Sequence, residues 1–204
     1  MLGPVNTRRT FETDDPDVNP YKLLTALVVP RPIAWVSTVD PAGVVNLAPH
    51  SFFTVSSNRP PVVQFTSVGA KDTLRNVVAT GEFVVNLAGL PQMDAVNQTS
   101  APYAAGVDEA AALGIAMEPS ERVAPPRVVD APASLECVLH CTIEVGTCTL
   151  VLGRVVTITV AEDALVDGSP AMSRLQPVSR LGGAEWGLPP EVVTLERPLQ
   201  PPPG

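Results

Sequence analysis

The chain has 204 residues, 45% of them apolar and 17% charged, enough for one domain with a sizeable packed core, which excludes disorder of the whole. Its 21 Asp and Glu against 13 scattered Lys and Arg leave a formal net charge of −8, which argues against a nucleic-acid partner, since phosphate backbones require clustered cations. No apolar run of about 18 residues occurs and the start of the chain lacks an apolar h-region, so no membrane partner and no secretory signal are expected, and the cytoplasm is the expected compartment.

Residues 1–17 are polar and read as an arm, before a domain over 18–196 and a Pro-rich tail over 197–204. Asn19-Pro20 starts a short helix to Leu27, with Tyr21, Leu24 and Thr25 on one face. Ile33 to Val39 is rich in β-branched residues and reads as a strand, and Asp40-Pro41-Ala42-Gly43 has the residues of a type I turn. Val44 to Leu47 is the return strand, Phe52 to Val55 the next, and Pro61 to Thr66 another after the Asn58-Arg59-Pro60 break. Between them Asn46-Leu47-Ala48-Pro49-His50-Ser51 reads as a loop that sets amide and hydroxyl donors beside small residues.

Asp72 is a candidate N-cap, and Leu74, Val77 and Val78 fall at i, i+3 and i+4, so Thr73 to Thr80 reads as a helix with that face inward, stopped by Gly81. The free N–H groups of its first turn, with Lys71 and the Thr73 hydroxyl, would suit a phosphate. The plainer alternative is a cap beside a solvated lysine. Phe83 to Leu87 returns to strand, then Gln92 to Thr99 and Asp108 to Leu113 form a helical insert, with Asp108 and Glu109 favouring the first turn and Gly114 ending it.

From Leu135 the alternation is strict. Leu135, Cys137, Leu139, Cys141, Ile143 and Val145 are expected on one face and Glu136, His140, Thr142 and Glu144 on the other, with Gly146-Thr147 turning into a partner strand over Cys148 to Val160. His140 is then a bystander on the polar face. Three cysteines, Cys137, Cys141 and Cys148, fit reduced thiols. Four residues of strand span roughly 13 Å, too far for Cys137 and Cys141 to bridge, and their spacing matches no metal-ligand pattern.

Taken together, Pro30-Arg31-Pro32-Ile33-Ala34-Trp35-Val36-Ser37-Thr38, Asn46 to Phe53, Ser67 to Thr73 and Gly81 to Leu87 resemble the flavin reductase-like, FMN-binding split-barrel family in its flavoredoxin-like branch. The resemblance implies a mainly β fold with helical insertions, a Greek-key split β-barrel that forms a homodimer and holds FMN near the subunit interface. It places the phosphate near Lys71, Asp72 and Thr73, with Ser67 before them, and the ring beside Asn46, Leu47, Ala48, Pro49, His50 and Ser51. The insert would border the mouth of the site.

Arg31 either reaches the phosphate or fixes the strand start between two prolines. Pro177 to Gly183 with Trp186 is similar to the family's arm beside the flavin, which adds Arg180 and Trp186, and the alternative is a structural strand end with a Gly-Gly turn. Two positions depart from the family. Cys148 stands where many relatives have His, and a thiol does not replace an imidazole as a positive donor at neutral pH. His50 stands where an aromatic is usual, to bond the flavin or to stack.

The implied activity is that of an FMN-binding oxidoreductase, a flavin reductase using NADH or NADPH, with a monooxygenase or other electron acceptor as partner. No catalytic side chain and no metal are expected, because flavin carries the chemistry. The alternative is a non-enzymatic flavin carrier or electron-transfer flavoprotein. A haem- or pyridoxal-phosphate-related split barrel is disfavoured by the motifs.

Overall fold

A computed structural model describes residues 8–200. The start of the N-terminal arm and the last four residues of the Pro-rich tail lie outside them. Helix α1 (Pro20–Leu27) begins at Asn19, whose side chain accepts the Lys22 N–H. Of the face expected to be shared, Thr25 is buried while Tyr21 and Leu24 stay exposed, as does Leu27, and the helix end is held through its backbone, where the Arg31 guanidinium donates to the Thr25 and Val28 carbonyls.

Seven antiparallel strands carry the fold: β1 (Ala34–Val39), β2 (Val45–His50), β3 (Phe53–Asn58), β4 (Pro61–Val68), β5 (Glu82–Leu87), β6 (Ala133–Val145) and β7 (Cys148–Val160). Their order is β2-β1-β5-β6-β7-β4-β3. The Asp40 turn joins β1 to β2 as its residues predict, with Asp40 Oδ1 accepting from Ala42 and Val44 N–H at 2.8 Å each. The sheet coils until β2, at one edge, lies against β4, next to the other edge. There the His50 and Phe65 rings meet at 4.6 Å. The result is a split β-barrel.

Two apolar clusters flank β1, which is buried on both faces. Ala34 and Val36 join Phe65, Phe83, Val85 and Val151 inside the barrel, while Trp35 joins Leu47, Val96 and Ala110 outside it. Helix α2 (Asp72–Thr80) closes the barrel end with Thr73, Asn76 and Val77, and Gly81 ends it at φ 77°. Leu74 packs against the barrel cluster, but Val78, expected inward, is 60% exposed. The buried stripe is thus narrower and more polar than an i, i+3, i+4 reading of apolar residues gives, since Asn76 bonds Thr38 and Thr73 bonds Asn46.

The long hairpin β6–β7 departs from strict alternation. Its register slips between Leu152 and Gly153, so that His140 has no partner and forms a bulge. Before the bulge Cys137 and Leu139 face the barrel. After it Thr142 faces Val151 inside, and Cys141, Ile143 and Val145 turn to the outer face, where Ile143 and Val145 are about half exposed. Glu136, expected on a solvated face, is fully buried, because residues 120–127 cover it. Its carboxylate accepts the Glu121 and Arg122 N–H groups at 2.9 and 2.7 Å. Of the cysteines only Cys137 is buried, which pushes its thiol up to about 12. Among the described residues no helix is long and apolar enough to cross a membrane, and no His, Cys, Asp or Glu cluster could hold a metal.

Candidate functional site

The return strand expected to stop at Leu47 runs on to His50 as edge strand β2, so Ala48 to His50, expected as loop, are strand as well. In an antiparallel pair, alternate residues turn their backbone groups outward. Leu47 N–H points outward, to Glu109 Oε2 at 2.9 Å. Pro49 is two residues further on, in the same phase, where its missing N–H costs the ladder nothing. The edge thus offers a ligand carbonyls rather than N–H groups, the Leu47 N–H being taken and Pro49 having none, and the side chains of Asn46, Ala48 and His50 share the barrel-facing side with Ala34 and Val36.

Beside this edge is a cavity of about 380 Å³. Its walls are β2, the start of α2, and the loop from Thr99 to Ala105 together with Glu109. Trp35 Nε1 donates to Thr99 Oγ1 at 2.9 Å, which ties that loop to the core. Helix α3 (Met93–Gln98) precedes the loop and helix α4 (Glu109–Leu113), capped by Asp108, follows it, so the expected insert does border the cavity.

Of the sequence-predicted residues, Asn46, Ala48, Pro49, His50, Lys71, Asp72 and Thr73 line this cavity together. Lys71, not Asp72, is the N-cap residue, and Asp72 is the first helical residue, ion-paired with Arg75 and accepting from Gly106 N–H at 3.4 Å. The helix start still presents N–H groups with no intrahelical acceptor. Asn46 Nδ2 donates to Thr73 Oγ1 at 3.0 Å, so the Thr73 hydroxyl hydrogen is left to donate elsewhere.

The others lie elsewhere. Leu47 sends its side chain into the outer cluster and contributes only backbone. Ser67 is buried and donates to Gly69 O at 2.8 Å, shaping the turn before Lys71. Arg31 does not reach the cavity. Its guanidinium donates to Thr25 O, to Val28 O at 3.0 Å and to Leu181 O at 2.8 Å, so it fixes α1 and the C-terminal arm to the strand start. Ser51, Arg180 and Trp186 line a smaller cavity of about 140 Å³ that shares Pro49 and Ser100 with the first. Arg180 sits 5.0 Å over the Trp186 ring. The two cavities thus adjoin along β2, with Lys71 and the start of α2 at one end and Arg180 over Trp186 at the other.

Arg75, Tyr103 and Glu109 also line the larger cavity and were not among the predicted residues. Burial raises the pKa of Glu109, and its bond from Leu47 opposes the rise. Nothing local in the sequence separates Glu109 from an ordinary first-turn acid. His50 is nine-tenths buried, and desolvation, opposed by a hydrogen bond with the Thr66 backbone, lowers its pKa to about 4. Its Nε2 has no hydrogen-bond partner among the described residues.

The sequence model described as Flavin reductase like domain matches residues 26–173. An uncharacterised protein of Halalkalibacterium halodurans is 40% identical over 190 residues, covering 87% of this chain and 90% of its own length. Among solved structures, nitrilotriacetate monooxygenase component B from Bacillus cereus superposes with a TM-score of 0.86 at 32% identity, over 93% of this chain and 100% of that one. The 2-nitrobenzoate 2-nitroreductase of Pseudomonas fluorescens gives 0.83 at 31% identity, over 90% and 92%.

Proposed function

This chain belongs to the flavin reductase-like domain family and has its split-barrel fold, and from that premise we propose that it is an FMN-binding flavin reductase using NADH or NADPH. The observation that supports it most is the composition of the groove. A helix start with Lys71, Arg75 and a free Thr73 hydroxyl lies at one end, an open backbone edge with small residues in the middle, and Trp186 at the other. A phosphate-tailed planar ring fits that arrangement, and the unpartnered, buried His50 Nε2 fits a ligand that brings a hydrogen-bonding group there.

Lys71, Thr73 and the first N–H groups of α2 would hold the phosphate, while Arg75, paired with Asp72, offsets that carboxylate's repulsion of it. The outward backbone of Leu47 and Pro49 would meet the polar edge of the ring, and Ser51 and Trp186 would border its far end. Bound FMN would supply the redox chemistry, taking a hydride from the nicotinamide nucleotide and passing electrons to a monooxygenase or other acceptor. The protein's part is to grip, orient and exclude water on the barrel side, where His50 packs against Phe65.

A second copy of the chain would cover the outer face that Ile143, Val145 and Val68 leave half exposed. Residues 18–196 form the functional unit in this reading, with the arm and tail as appendages, and free cysteines are consistent with a cytoplasmic compartment. Cys148, half-buried at the hairpin turn, favours a second reading as an electron carrier reduced by a partner protein, because it offers no positive donor for a nicotinamide. Mixing the purified protein with FMN and NADH or NADPH and following nicotinamide oxidation decides between them. Tight flavin without oxidation supports the carrier, and failure to bind FMN at high concentration overturns both.

A further inference from the structure

His50 is the buried polar side chain that the fold leaves incomplete at the cavity. Its ring packs against Phe65, with centroids 4.6 Å apart and planes tilted by 45°, and lines the space that also holds Lys71 and Thr73. The imidazole is uncharged near neutral pH, because burial holds its pKa at about 4. A neutral imidazole has one donor and one acceptor nitrogen. Nε2 is buried without a hydrogen-bond partner among the described residues. A hydroxyl group, donor and acceptor at once, completes it in either tautomer, whereas phosphate oxygens only accept.

Glu109 lines the same cavity, and its carboxylate accepts the Leu47 N–H at 2.9 Å. His50 lies close enough to the Lys71 end that the Lys71 charge acts on the imidazole. Resting on the flavin reading above, we propose that His50 Nε2 forms a hydrogen bond with a hydroxyl group of the polyol linker between the phosphate and the ring. The site then reads the linker itself, and His50 is a specificity residue rather than a stacking spacer.

The test is a cycle between ligand and protein. Affinities of the wild type, His50→Phe and His50→Gln for FMN and for FMN analogues lacking single ribityl hydroxyls are measured by flavin fluorescence. Loss of one hydroxyl is expected to weaken wild-type binding about 5–10-fold, as for one buried hydrogen bond. His50→Phe, which keeps the ring contact, is expected to lose the same factor for FMN and to bind that analogue no worse than FMN. His50→Gln, whose side-chain amide both donates and accepts, recovers part of the discrimination. Unchanged hydroxyl penalties in a folded His50→Phe overturn the proposal, as does an effect confined to FMN methylated at ring N3. If the wild type binds no FMN at all, it is the flavin reading that fails, taking this inference with it.

Discussion

Replacing His50 with Phe removes a titration that the fold imposes. In the folded protein the imidazole pKa is lowered to about 4 from an ordinary 6.5, with burial the first cause and the Lys71 charge a further one. Between those values the unfolded chain binds a proton that the folded chain refuses, so the wild type loses stability as pH falls from about 6.5, and the loss is complete below about 4. One pKa unit corresponds to about 1.4 kcal/mol. The wild type is therefore expected to lose about 2 kcal/mol through this group between about pH 7 and about pH 5, and about 3 kcal/mol in full. Phe cannot titrate. Urea unfolding of both proteins at the two pH values gives the difference directly, since every other titrating group cancels in the comparison. The variant should gain about 2 kcal/mol on the wild type as the solution is acidified. A difference independent of pH would refute the claim that a neutral imidazole is locked between β1, β2 and Phe65.

Lys71→Ala combined with Thr73→Val should weaken FMN binding about 10–100-fold by titration calorimetry, through loss of two phosphate contacts; unchanged affinity would place the phosphate elsewhere. Arg31→Ala should lower stability by about 2–4 kcal/mol in urea, because it strips donors from the carbonyls of Thr25, Val28 and Leu181. It should leave FMN affinity within about twofold, and a large loss of affinity would return Arg31 to the site. Gly153→Ala should cost about 1–3 kcal/mol, since an added Cβ would lie 2.2 Å from the Phe83 ring; a neutral outcome would mean that the β6–β7 bulge yields without strain.

The local grammar of the chain was legible wherever one residue decides one turn. Asn19 caps α1, Asp40 to Gly43 make the first hairpin turn, Gly81 and Gly114 end their helices in the left-handed region, and each does so through its own backbone or side chain. The strand pattern failed at His140, because a bulge reverses the faces of every later residue while leaving the alternation in the sequence intact. Ala48 to His50 read as a loop because Pro is a poor strand residue. They form a strand at the sheet edge, where Pro49 needs no donor.

The sequence by itself determined the β-rich domain, the family resemblance and the grouping of Lys71 with Thr73, because these depend on residues close in the chain. Tertiary structure alone decided that Arg31 clamps backbone carbonyls, that Glu109 reaches back 62 residues to the Leu47 N–H, and that Glu136 is buried. Those outcomes depend on which distant segment covers each side chain. Burial and hydrogen-bond partners are properties of neighbours in space, and neighbours in sequence do not carry them.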